Sequence, residues 1–158
     1  MKLNKKGFTL VELLAVIVVL AVIMVIAIPT VIDSMNSAKK SSFAMYGQKM
    51  LNAAMSKVQG DALDGVSAKP KYKFSELVAS SGQYKGYVSY DSSTNKYTVS
   101  FYNTDYMVKD ASYDDLESWK KAKCSASAST VPPECSKVLN SGNSNWDATK
   151  TSIDNELK

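Results

Sequence analysis

The stretch that decides the fold is KKGFTLVELLAVIVVLAVIMVIAI, residues 5–28. From Phe8 to Ile28 the run is apolar except for Thr9 and Glu12. As an α-helix rising about 1.5 Å per residue it covers the ~30 Å hydrocarbon core of a bilayer. Lys2, Lys5 and Lys6 precede it, so the positive-inside rule keeps residues 1–7 in the cytoplasm and sends the rest outward. A secretory signal peptide shares these features, but it ends its apolar stretch at a small-residue cleavage site. Here Ile26, Ala27, Ile28 and Pro29 lead into more helix-like sequence.

Glu12 is out of place in a plain anchor, because an acidic side chain within a membrane helix costs about 2.5–3.5 kcal/mol even on lenient scales. It needs a cationic partner, and no lysine occurs between Gly7 and Lys39. Cleavage after Gly7 would supply one: the new amine of Phe8 stands one turn from Glu12 on the same helix face, and the amine of a neighbouring copy reaches it when helices pack side by side.

The run Lys5-Lys6-Gly7-Phe8-Thr9-Leu10-Val11-Glu12-Leu13 resembles the class III signal of type IV prepilins with a short, a-type leader. The likeness extends over residues 1 to about 32, and the nearest resemblance is to major pilins of Gram-positive bacteria. It implies a leader at residues 1–7, prepilin peptidase cleavage between Gly7 and Phe8, N-methylation of Phe8, and a filament-assembly role for Glu12. It also implies a transmembrane and filament-core helix over 8–32 and an α+β pilin fold in which the long helix packs on a small antiparallel sheet. The partners implied are further copies in a helical filament, the peptidase/methyltransferase, a membrane assembly platform, minor pilins, and host or abiotic surfaces. The prepilin waits as a bitopic membrane protein with its head outside and ends in an extracellular pilus.

The remainder of the chain suits one head. At 158 residues there is room for a single small domain beyond the helix. All 19 basic residues are lysines and there is no histidine, which removes the guanidinium fork for phosphate, His-dependent nucleophilic catalysis and His-ligated zinc. Without the three leader lysines, 16 basic side chains face 15 acidic ones, so the net +4 becomes +1.

Pro29 cannot donate to the Val25 carbonyl and predicts a kink in a helix that continues. Val31, Met35, Ala38, Phe43, Tyr46, Met50, Ala54 and Val58 recur at helical spacing and predict a face packed on the head, with Gly60-Asp61 ending the helix at about 58. The head then comprises residues 33–158: the helix continuation, an αβ loop over 59–83, a sheet over about 84–109, and a C-terminal region over 110–158. A short helix capped by Ser75 falls within the loop. Tyr84–Tyr90 and Lys96–Tyr102 alternate and predict a hairpin, Tyr106–Val108 a third strand, and Ser112 with Asp115 the cap of a helix carrying Leu116 and Trp119.

An even cysteine count in an exported chain, without CxxC spacing, suggests a disulfide between Cys124 and Cys135; two free thiols are the alternative. Asn140–Asn145 reads as a loop and Trp146 as an anchor for the tail.

No catalytic residue, cofactor or metal site is expected. Asp105, Asp110, Asp114, Asp115 and Glu117 match no calcium-loop spacing, and acids near a helix start are favoured by its dipole alone. Lys69, Lys71, Lys73 and Lys85 lie among aromatic residues, but a mature charge near +1 without arginine argues against DNA as a partner. The reading is a structural pilus subunit serving adhesion, aggregation or surface motility. Its rivals are a pseudopilin of a type II secretion or competence (DNA-uptake) system, and a membrane-anchored binding domain.

Overall fold

The computed structural model describes residues 8–121 and 138–158; Cys124 and Cys135 lie outside them. The chain is α+β: a 54-residue helix α1 (Leu10–Leu63), then β1 (Lys71–Lys73), α2 (Phe74–Leu77), β2 (Lys85–Asp91), β3 (Lys96–Tyr102), β4 (Tyr106–Ala111), α3 (Tyr113–Lys121), β5 (Val138–Asn140) and α4 (Trp146–Glu156). It divides into two compact units, with the boundary between Lys39 and Lys40.

In the first unit every large apolar side chain from Phe8 to Met35 is exposed. The helix is long and apolar enough to cross a membrane, with a mean hydropathy of 3.2 in its most apolar window. It runs through Pro29, and the hydroxyls of Thr30 and Ser34 donate to the carbonyls of Ala27 (2.8 Å) and Thr30 (2.9 Å).

In the second unit the α1 side chains Phe43, Ala44, Gly47, Met50, Leu51, Ala54 and Val58 are buried. The expected stripe therefore begins at Phe43, whereas Val31 and Met35 are more than half exposed. Gly47 sits where a Cβ would come within 2.7 Å of Leu116 and 2.8 Å of Phe101, so its bareness permits close packing of helix on sheet.

The helix also runs past Gly60, which keeps helical geometry. It stops at a Schellman motif: Gly65 takes φ +71, Val66 N–H reaches Asp61 O at 2.8 Å and Gly65 N–H reaches Ala62 O at 3.3 Å. Asp61, nearly buried, pairs with Lys57 (2.8 Å) and accepts from the Tyr72 hydroxyl (3.4 Å).

The five strands lie in the order β1-β2-β3-β4-β5, all neighbours antiparallel. The hairpin β2–β3 and strand β4 stand where alternation put them. Strands β1 and β5, three residues each, carry no alternation long enough to read. α2 begins after Lys73 and not at Ser75, because Glu76 accepts from the Lys73 backbone N–H at 3.0 Å. α3 opens on the expected box, Ser112 N–H to Asp115 Oδ2 at 2.9 Å and Asp115 N–H to Ser112 Oγ at 3.2 Å.

Both sheet faces are covered. On one, Val88, Val99, Phe101 and Val108 meet Phe43, Met50, Leu51, Leu116 and Trp119, with Phe43 stacked on Phe101 at 4.3 Å. On the other, α4 lays Ile153 over Tyr87, Tyr102 and Met107, joined by Leu139, Trp146 and Leu157.

Candidate functional site

The sequence singled out the start of α1, and the local geometry there follows from two polar residues. Thr9 precedes the first helical residue and Glu12 lies three positions on, the spacing of a reciprocal cap. Thr9 N–H and Thr9 Oγ both donate to Glu12 Oε2 at 2.8 Å, Glu12 N–H returns to Thr9 Oγ at 3.3 Å, and Leu13 N–H bonds Thr9 O at 3.2 Å. Two orphan amides of the helix start are thus satisfied.

Neither donor carries charge, so the cap leaves the carboxylate's need for a cation in place. Within one chain an uncharged donor pair holds one carboxylate oxygen, while Oε1 has no partner among the described residues. The T-x-x-E spacing of Thr9 and Glu12 is the sequence signal of this cap.

Phe8, the residue before the cap, is 89 % exposed. None of the cap's atoms belongs to residues 1–7, so scission between Gly7 and Phe8 leaves the cap whole. What results is an apolar helix with a single carboxylate near its beginning, half occupied in cis and open on its other oxygen, beside the residue whose amine cleavage would release.

Several of the other polar groups marked in the sequence hold the fold together. Asp115 caps α3, and Asp110 exchanges hydrogen bonds with buried Ser100 while holding φ +52 at a bulge in β4. Glu117 accepts from Gln48 of α1 at 3.1 Å and pairs with Lys120 (2.7 Å) and Lys121 (3.1 Å). The Lys120 contact leads in holding its carboxyl down to about 2. Among the described residues no three acidic or thiol side chains converge to hold a metal. Lys69 pairs with Glu76, Lys71 with Glu156, and Lys73 reaches the Leu157 carbonyl at 2.5 Å.

Neither a curated protein nor a solved structure matches the chain. A family model described as the prokaryotic N-terminal methylation motif matches residues 2–28. The segment so marked, continuing into a long helix and an antiparallel sheet, is the class III signal of type IV pilins.

Proposed function

We propose that this chain is the precursor of a type IV pilus subunit, the major pilin of its fibre. The observation that carries the reading is the coincidence of the methylation motif with one half-partnered carboxylate in an exposed apolar helix. Prepilin peptidase hydrolyses the Gly7–Phe8 bond at the cytoplasmic membrane face and residues 1–7 depart. The Phe8 amine is methylated, and the subunit remains anchored by residues 8–32 with head 33–158 outside.

While the subunit waits in lipid, Thr9 shields Glu12. On assembly the N-methylammonium of Phe8 on an adjacent copy meets the open oxygen. That charge-assisted bond, formed in an apolar filament core, registers one helix against the next. Exposed side chains from Phe8 to Met35 then find their cover in other copies. An assembly platform in the membrane extracts the subunits, and the fibre serves adhesion, aggregation or surface motility.

The test is the intact mass and N-terminal residue of the protein from its native cells. N-methylated Phe8 is expected; retention of Met1 and the lysine leader would replace the pilus by an anchored domain. The same spectrum reads Cys124 and Cys135, with a disulfide expected and the mass lighter by its two hydrogens. Glu12→Ala should leave cleavage intact and abolish fibres. Long surface fibres are expected by electron microscopy, whereas short ones would indicate a secretion or competence pseudopilus built with the same signal.

A further inference from the structure

Between the last turns of α1 and the turn joining β2 to β3 lies an open groove of about 350 Å³, lined by Met55, Val58, Gln59, Ala62, Asn95 and Tyr97. Tyr97 stands on the same side of β3 as buried Val99 and Phe101, but nearer the hairpin end, where it is only half covered. Its cross-strand partner Tyr90 braces it, the rings stacked at 4.7 Å. The Tyr90 hydroxyl donates to Asn95 Oδ1 at 3.3 Å, and Asn95 itself is held at φ +51 by the turn. The Asn95 NH₂ group is left without an acceptor among the described residues, and the exposed Gln59 amide has no hydrogen bond there either.

This lining favours one class of occupant. No ionised side chain belongs to it, although lysines are common on the chain, so a charged ligand finds no counter-charge. Six residues fall far short of the about 20–30 per side in a stable protein interface. An acyl chain would cover two primary amides without bonding them, which is costly. A sugar ring offers an apolar C–H face and a rim of hydroxyls that each donate and accept, the complement of an aromatic plate beside two amides.

We propose that this groove binds an uncharged sugar ring, its C–H face against Tyr97 and its hydroxyls bonded to the amides of Gln59 and Asn95. The site shares no residue with the N-terminal signal and does not depend on how that signal is processed.

The experiment follows the side-chain amides of Gln59 and Asn95 by NMR in the full chain, held in phosphatidylcholine nanodiscs. The methyl glycosides of glucose, galactose and N-acetylglucosamine are titrated in. At least one should give saturable shifts with a Kd on the order of millimolar. Tyr97→Phe should retain the affinity, and Tyr97→Ala and Gln59→Ala should each weaken it about tenfold, close to 1.4 kcal/mol. Gln59 is exposed, so its variant keeps the test sound if Tyr97→Ala loosens the hairpin. No saturation with any glycoside, unchanged binding in Gln59→Ala, or equal binding of glucuronate or hexanol would overturn the proposal.

Discussion

At the scale of single residues, the glycines separate space from conformation. A Cβ on Gly86 would lie 2.3 Å from the Phe101 Cβ and 2.4 Å from the Ser100 carbonyl, both in the adjoining strand. Gly86→Ala should therefore destabilise the head by about 1–3 kcal/mol, as overpacking does. Gly60 has nothing within 4 Å and lies inside α1, so Gly60→Ala should raise stability by about 0.4–1 kcal/mol. Urea unfolding of the two variants beside the parent chain checks both signs. By residue type Gly60 reads as a helix stop, yet the helix continues through it. The true stop is Gly65, where a left-handed φ is required, and residue type alone does not distinguish a glycine that is needed from one that is tolerated.

Among the elements, α4 is shallowly set, with Ile153 as its one fully buried side chain. Trp146 adds a partly buried contact to the same cluster, and polar ties complete the docking: the Tyr102 hydroxyl donates to Asp154 Oδ1 at 2.6 Å, Lys109 donates to Ser152 Oγ at 3.1 Å, and Lys71 meets Glu156. Ile153→Ala should cost about 2–5 kcal/mol of α4 docking, seen as faster amide exchange across α4 while β2 and β3 keep their protection. Burial, reinforced by the Asp154 carboxylate, pushes the Tyr102 phenol up to about 12. Because its folded value exceeds the unfolded ~10, the stability this phenol contributes is complete below about pH 10 and is lost as pH rises toward 12. Proteolysis at α4 should accelerate across that window, and Tyr102→Phe should reduce the acceleration. The hairpin and α3 were legible because alternation and a capping box are local signals. Of the second core only the Trp146 anchor was legible, since Ile153 and Leu157 are scattered apolar residues whose meaning depends on a sheet face formed far away in sequence.

For the whole molecule, the two units differ in what becomes of their apolar side chains. Residues 40–158 form their own core, whereas the helix from Leu13 to Ile32 is apolar on all sides but for Thr30 and leaves its large side chains exposed. In detergent micelles, heating should melt the sheet and its helices in one transition and leave a helical circular-dichroism signal from the first unit, because hydrogen bonds within a lipid-like core have no water to replace them. Complete loss of helicity in a single step would contradict this independence. The N-terminal signal was readable because it is a fixed string matched to a bilayer and an enzyme. The groove beside Tyr97 was not, because it is made by an α1 turn and a hairpin tip with more than thirty residues between them. Covering both sheet faces has a further consequence for biosynthesis. α4 follows every strand of the sheet along the chain, so a growing chain carries Tyr87, Tyr102 and Met107 on a bare sheet face until Ile153 has been made. A product truncated before Ile153 keeps that adhesive face uncovered, which marks it for proteolysis before it can enter an ordered assembly.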